Sequence, residues 1–321
     1  MECRKGTGVT IVKLHFIINE RAGNGKGSRV WDSFKKELNS PFSYHKTDYK
    51  AHGSVIAKEI AKNAQSLDEA CLIVAIGGDG TIHEVVNGIA NCQNVIVGAI
   101  SAGSGNDFAR YFRTFNTAKE IDQFVQENQS SSISYDCGTV EWDKEDIRFV
   151  NNSGIGFDAY VAASANLSSL KKKLNKIGLG KLSYMYYVLR GLFTFALFDI
   201  IVELNGKQQK YENVWFVTVS NQPYFGGGMK ISPRSIPNDG LLELSIVHNL
   251  SRLKLLVVFA SVFFGKHTKI KEFVQIEGEQ FTLYIQDELL CHADGEILGV
   301  TKMNSTLQYN VQVNSWKMIN K

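Results

Sequence analysis

The chain has 321 residues, 44% of them hydrophobic and 21% charged, and 35 Lys and Arg against 32 Asp and Glu give a formal net charge of +3. That length allows two domains and a substantial core, while so mild a charge argues against a nucleic-acid-binding protein, which shows a concentrated basic footprint. Five cysteines (Cys3, Cys71, Cys92, Cys137, Cys291), odd in number and without a C-x-x-C, argue against a disulfide framework or structural zinc site and fit a reducing cytoplasm. The basic N-terminus (Arg4, Lys5, Lys13) has no apolar stretch of signal-peptide length before the first strand.

Residues 9–18, broken by Lys13 and His15, read as a strand that ends in the Gly-rich turn from Asn19 to Gly27, and Ser28 opens a helical pattern through Val30, Trp31, Phe34 and Leu38. The turn is not a P-loop, because Gly27 follows Lys26 and the required spacing is absent. By itself such a loop is weak evidence, since glycine marks ordinary turns far more often than ligands. A short strand over 42–46, then Thr47 and Asp48, and a helix over 54–64 lead to the stretch that organises the chain.

There an apolar run, Leu72 to Ile76, reads as a buried parallel strand and stops at Gly77, Gly78, Asp79, Gly80 and Thr81. Ile82, Val85, Val86 and Ile89 follow at helical spacing, and Thr81 and Glu84 have the spacing of a capping box. A strand turning through glycines into a helix N-terminus offers backbone N–H groups and a positive dipole end to an anion. Asp79 beside a phosphate requires a cation or hydroxyl between them; as an alternative it only caps the turn. A further strand over 94–100 runs into Ser101 to Asp107 and a helix at 108–112. Three strands thus end in three Gly-rich turns, each followed by helix, and in an open parallel sheet those ends share the edge where ligands bind. Nucleotide or polyphosphate binding follows.

Around 126–134 the chain turns polar and serine-rich, as a linker does. Beyond it strands are expected at 133–140, 147–151, 200–204, 214–220, 241–247, 273–276, 281–285, 288–292 and 306–313, with hairpin turns at Asn205-Gly206 and Asp294-Gly295. The sequence therefore reads as α/β followed by β: a doubly wound α/β nucleotide-binding domain over 1–132 and an antiparallel, sandwich-like β domain over 133–321, whose last residues are free to pack back on the first. Two apolar helices, 182–198 and 253–264, interrupt the second half, the latter bounded by Ser251 and Gly265 as cap residues. At ~1.5 Å per residue the latter is roughly 18 Å long, too short to cross a bilayer. Packing on the sheet accounts for most of their surface; Tyr184, Tyr186, Tyr187, Phe193, Phe195 and the cluster Lys171, Lys172, Lys173 also suit a surface resting on anionic lipid.

Asn19 to Gly23, Gly77 to Thr81 followed by His83 to Gly88, Gly103 to Arg110, Pro237 to Leu241 and Asp294-Gly295-Glu296 together resemble the diacylglycerol kinase catalytic-domain family. Within it the chain looks most like the soluble bacterial lipid kinases, related to sphingosine kinases and more remotely to 6-phosphofructokinases and NAD kinases. The likeness covers nearly the whole chain, in order. It implies a 6-phosphofructokinase-like first domain, ATP as phosphate donor, Mg2+, and nucleotide contacts at Asn19, Glu20, Arg21, Ala22, Gly23, Thr47, Gly77, Gly78, Asp79, Gly80, Thr81 and Ser104. It implies Glu296 as general base, Asp107 as an active-site acid of open duty, and a structural magnesium site near the domain interface made by Asp239 with the carbonyls of Ile236 and Leu241. Three departures stand out: Glu20 where the family has proline, Ala102-Gly103-Ser104 for Met-Gly-Thr, and Asn238 for the first of two aspartates.

Phosphoryl transfer asks mainly for positioning and charge neutralisation. The three turns would hold the ATP phosphates, Asp79 would organise the catalytic magnesium, and Glu296 would take the proton of an acceptor hydroxyl. Lys26 is either a further phosphate contact or a solvated loop lysine. The resemblance implies a lipid alcohol acceptor, foremost diacylglycerol, its acyl chain in a cleft between the domains that Asn221, Gln222, Tyr224 and Gly226 to Gly228 either line or merely turn beside. It also implies a cytoplasmic enzyme that visits the inner face of the membrane, binds no nucleic acid and is free to form a homodimer. Two other readings stay open: a soluble-substrate kinase of the NAD kinase kind, and a non-catalytic lipid-binding regulator.

Overall fold

The structure is a computed structural model that describes residues 12–103, 105–127, 132–167 and 180–320, without the side chains of 165–167 and 180–185. Ser104, Lys171 to Lys173, the side chain of Tyr184 and the N-terminal tail with Cys3, all singled out above, lie outside the described residues. The chain divides into two compact units, residues 1–135 with 314–321, and residues 136–313.

The first unit alternates strand and helix: β1 (Lys13–Ile18), α1 (Ala22–Glu37), β2 (Phe42–Lys46), α2 (His52–Ser66), β3 (Cys71–Gly77), α3 (Asp79–Ile89), β4 (Val95–Ser101), α4 (Asp107–Tyr111) and α5 (Ala118–Gln126). All its strand pairs are parallel, in the order β2, β1, β3, β4. Every residue of β3 is buried, as a central strand covered on both faces must be. Beside β4 lies the end of β15 (Ser305–Ile319), paired in parallel through Lys317 and Met318. Its Trp316 packs against Phe108, Phe112 and Tyr135. Helix α5 starts at Thr117, whose hydroxyl accepts from the Glu120 N–H, and carries Asp122, whose carboxylate accepts from the backbone N–H groups of Asn39 and Ser40.

The capping-box expectation is corrected by the structure. Gly78 is the N-cap of α3, and its carbonyl accepts from Thr81 and Ile82. The Glu84 carboxylate instead accepts from the N–H groups of Ala51 and Gly53, at 2.9 Å each, and caps α2. A tertiary partner with two orphan donors outcompetes the local one.

The second unit holds β5 (Ser132–Trp142) from Asp136 on, β6 (Glu145–Phe149), β7 (Asn152–Gly156), β8 (Phe198–Leu204), β9 (Lys207–Ser220), β10 (Leu242–His248), β11 (Phe273–Gly278), β12 (Gln280–Ile285), β13 (Leu290–Ala293), β14 (Glu296–Val300) and the first part of β15. In it β6 with β5, β7 with β9 and β13, β8 with β9 and β12, β10 with β9 and β11, β12 with β15, and β13 with β14 pair antiparallel. Its helices are α6 (Phe157–Leu167), α7 (Gly180–Thr194) and α8 (Arg252–Val262). Strand β9 pairs with β8 along its exposed first half, then, past Asn213 at φ 51°, with β7 and β10 along its buried second half. One core gathers Phe149, Val217, Leu244, Phe281, Leu283 and Tyr309. A second, around Phe157, Trp215, Phe216 and Phe273, sits under the helices, where the Trp215 indole donates to the Leu250 carbonyl at 2.8 Å. Among the described residues no helix is long and apolar enough to cross a membrane.

Candidate functional site

The parallel order of the first unit brings the C-terminal ends of β1 to β4 to one edge, and with them the three Gly-rich turns. Glycine is required there by contact. At Gly23, with φ +55°, a Cβ would stand 2.2 Å from the Ala102 carbonyl oxygen; at Gly103 it would stand 2.5 Å from Gly78 Cα. The first turn therefore lies against the third, and the third against the second. Gly23, Asn24 and Gly25 all have left-handed backbone, which breaks the start of α1 into a loop and puts regular helix after it.

Side chains tie the same turns together. The Asn19 amide donates to the Thr81 hydroxyl at 3.1 Å, and its carbonyl oxygen accepts from the Arg21 N–H. Asp79 Oδ1 accepts from the Phe108 N–H at 3.0 Å, so this carboxylate caps α4 across the turns. Its other oxygen faces Gly105, where a Cβ would approach within 2.8 Å. Asp107 is buried and takes a bond from Arg110 at 3.1 Å. Thr47 donates its N–H to the Ile18 carbonyl at 2.9 Å, at the end of β2. Glu20 forms an ion pair with Lys46 at 2.8 Å, and this bond raises the lysine's pKa. The negative charge that Glu20 adds to the first turn is thereby answered. Arg21, Gly23 and Gly80 are exposed and Gly77 and Thr81 buried, an open rim on a packed floor. Such a nest of turns and helix N-termini suits an anion.

In the second unit Asp294 and Gly295 have φ 49° and 81° and close the hairpin between β13 and β14. The Asp294 carboxylate accepts from the backbone N–H groups of Val150, Asn151 and Asn152 at 2.8 to 3.0 Å, which locks the hairpin onto the start of β7. Glu296, half-buried, is the first residue of β14. His292, fully buried on β13, accepts the Gly295 N–H at Nδ1, 3.4 Å away. That leaves Nε2 as the protonated nitrogen, and it donates to Asp158 Oδ2 at 3.2 Å. Asp158, at the start of α6, also accepts from the Thr218 hydroxyl at 2.7 Å.

Asp158, Thr218 and His267 are polar spots in the wall of a cavity otherwise lined by apolar side chains such as Phe157, Phe216, Met229, Leu255 and Phe259. His267 faces the Ile231 carbonyl through Nε2 at 3.2 Å and has its Nδ1 buried without a partner; burial lowers its pKa. A chain of bonds thus runs from the cavity wall through Asp158 and His292 to the backbone next to Glu296. Sequence reasoning missed Asp158, Thr218 and His292, and periodicity carries no signal for a pair 134 positions apart. Asn221 and Gln222 are fully buried fasteners: Asn221 donates to the carbonyls of Asp136 and Val150, and Gln222 bonds Asn151 and the backbone of Tyr224.

At the turn before β10, Asp239 Oδ1 accepts from the Leu241 N–H at 3.0 Å and Asp136 accepts from Gly240 at 2.9 Å. Burial, with Asp136 and Glu277 nearby, raises the Asp239 pKa, and burial pushes Glu243 up to about 7. The Ile236 carbonyl accepts from Asn238 at 2.9 Å. Among the described residues no three acidic, His or Cys side chains come close enough to hold a metal ion; a cation at this turn would need one carboxylate together with backbone oxygens. Carboxyls pushed up by burial and mutual repulsion fit such a cation.

Comparison with known proteins gives the same two halves. The family described as "Diacylglycerol kinase catalytic domain" matches residues 13–140, and "YegS C-terminal NAD kinase beta sandwich-like domain" matches residues 152–312. The chain is 36% identical over 298 residues to "Putative lipid kinase YtlR" of Bacillus subtilis (strain 168), covering 89% of this chain and 94% of the relative. It is 25% identical to "Diacylglycerol kinase" of Mycobacterium tuberculosis (strain CDC 1551 / Oshkosh), over 77% of each. Among solved structures, "Crystal structure of a putative diacylglycerol kinase from Bacillus anthracis str. Sterne" superposes with a TM-score of 0.71 at 20% identity, covering 96% of this chain and 97% of that one, which shows a shared fold.

Proposed function

We propose, since this chain belongs to the diacylglycerol kinase catalytic-domain family, that it transfers the γ-phosphate of ATP to the hydroxyl of a lipid alcohol, diacylglycerol giving phosphatidic acid. The observation that carries the lipid half is the apolar cavity of the second unit, hydrogen-bonded through Asp158 and His292 to the hairpin that presents Glu296. A cavity of that lining suits an acyl chain and offers little to a sugar or a dinucleotide.

The nucleotide rests on the turns around Asn19 to Gly23, Gly77 to Thr81 and Thr47; Ser104, which the resemblance also implies, lies outside the described residues. Its triphosphate is held by backbone N–H groups and by the N-terminus of α3. In the transfer, the lipid hydroxyl oxygen forms a bond to the γ-phosphorus as the bond to the β-phosphate oxygen breaks. The proton passes to the Glu296 carboxylate and ADP leaves. Asp79, fixed by the Phe108 N–H, keeps one carboxylate edge toward the turns. Mg2+ there would neutralise phosphate charge. A second Mg2+ at Asp239, with the carbonyls of Ile236 and Leu241, would offset the repulsion around that turn. Asp107 and Arg110 hold the entry to α4 in place.

The test is transfer of labelled phosphate from Mg-ATP to detergent-dispersed lipid alcohols, with NAD as a soluble acceptor and Glu296→Gln as control. Labelled phosphatidic acid that disappears in the control supports the reading. Label on NAD alone would replace it with a soluble-substrate kinase, for which the NAD kinase-like description of the second half is the specific support. Binding of ATP and lipid without any transfer would leave a regulator.

A further inference from the structure

Helix α8 is apolar on two faces. Leu255, Val258, Phe259 and Val262, spaced as one helical stripe, line the cavity. Leu253, Leu256, Val257 and Ala260, with Phe264 just past the end, form a second stripe that points away from it. Leu253 is 73% exposed, Val257 77% and Phe264 74%. Helix α7 also exposes apolar side chains, Tyr186, Leu189 and Phe193, the last 67% exposed. The start of α8 is fastened to the C-terminal end of α7 by the Arg252 guanidinium, which donates to the Leu192 and Phe195 carbonyls. Large apolar side chains exposed on two helices joined in this way mark an interaction site.

Its charge says what kind. From Asn249 to Lys271 the chain carries Arg252, Lys254, Lys266, Lys269 and Lys271 and no acidic residue. Arg252 is engaged as above and Lys254 pairs with Glu272 at 2.7 Å. Lys266, Lys269 and Lys271 are exposed, and no described carboxylate pairs with them. Lys266 and Lys269 share one side of a 3-10 turn that leaves α8 beyond Phe264. Arg190 adds a further exposed cation on α7. A second copy of the chain seated here by twofold symmetry would bring like charges together.

We propose that this α7/α8 face docks on an anionic lipid surface, with Leu253, Val257, Phe193 and Phe264 entering the headgroup boundary and Lys266, Lys269 and Lys271 meeting the anionic headgroups. Because the opposite stripe of α8 lines the cavity, docking sets the cavity beside the bilayer from which a lipid enters. That last link rests on the lipid-kinase reading, whereas the docking does not.

The test is co-sedimentation of the full chain with phosphatidylcholine vesicles that contain or lack phosphatidylglycerol, in the absence of ATP. The wild type is expected to pellet only with the anionic vesicles. Leu253→Gln with Val257→Gln, both outside the cavity wall, should stay in the supernatant while keeping its thermal stability and its turnover on detergent-dispersed substrate. Lys266→Gln and Lys269→Gln should each weaken binding roughly fivefold. A wild type that stays in solution, or a Leu253/Val257 variant that pellets as well as wild type, would overturn the proposal. So would a wild-type dimer that the same variant converts to monomer without any vesicle binding. Anionic-vesicle binding by a chain with no lipid turnover in detergent would retain the docking face and reject the kinase reading.

Discussion

Replacing Asp294 by alanine separates an anchored hairpin from an ordinary Asp-Gly turn. The carboxylate takes three backbone N–H bonds, from Val150, Asn151 and Asn152, and all three donors belong to buried residues. A buried donor left without its acceptor costs about 1–3 kcal/mol. Three of them set a floor of about 3 kcal/mol for Asp294→Ala, a large share of the ~5–15 kcal/mol that holds a typical protein folded. For a unit of this size that is a fall in Tm of roughly 6–12 °C. Asp294→Asn should cost less, because one amide oxygen in the place of Oδ1 still serves Asn151 and Asn152 and only the Val150 donor is stranded. The assay is thermal unfolding of both variants followed by kinase turnover at a temperature where each is folded. A folded Asp294→Asn protein should lose kcat while KM for ATP holds, since the hairpin that carries Glu296 has shifted and the phosphate turns have not. A Tm for Asp294→Ala within about 2 °C of wild type would refute the anchoring, and an unchanged kcat in Asp294→Asn would refute its link to turnover.

Gly23→Ala puts a methyl group 2.2 Å from the Ala102 carbonyl at a left-handed φ; the turns must part, so ATP affinity measured by calorimetry should fall while the protein stays folded, and wild-type affinity would show that the turn contacts do not shape the nucleotide site. Glu84→Ala removes the cap of α2 and should cost about 1 kcal/mol and the protection of the Ala51 and Gly53 amides from hydrogen exchange; normal protection there would restore the local capping box with Thr81. Burial pushes the Cys71 and Cys291 thiols up to about 12, so raising the pH from 7 to 9 ionises an ordinary free thiol but neither of these. Both should resist alkylation across that interval in the native state, and rapid labelling of either would contradict the packing around it.

The strands and Gly-rich turns of the first unit were legible because their signals are local. An uninterrupted apolar run such as Leu72 to Ile76, cut by Gly77, states both a central strand and its end, and the Asn205-Gly206 and Asp294-Gly295 pairs state their turns by the backbone they tolerate. The same locality misled at Glu84, where a three-residue spacing fitted a cap that a helix 33 residues away in sequence had already claimed. It also failed at β7 and α6. Asn152, Ser153 and Gly154 are buried in a strand without showing an apolar pattern, since Ser153 bonds the His292 carbonyl and Gly154 leaves room for Asp158. The Asp158 and His292 pair exists only once β13 lies beside β7, a fact of strand pairing that no window of sequence contains.

Strand β15 gives residues 305–313 to the second unit and 314–319 to the first, where Trp316 and Met318 are fully buried. During translation the first unit therefore waits for a piece of itself. Roughly 180 residues separate Tyr135 from the segment that flanks β4, about 10–35 s of synthesis at ordinary translation rates. Over that interval the nascent first unit lacks the strand beside β4 and the Trp316 ring that packs on Phe108 and Phe112. Its completion is coupled to the emergence of nearly the entire remaining chain, so premature termination anywhere before residue 314 yields a first unit that lacks its closing strand and not merely a shortened enzyme.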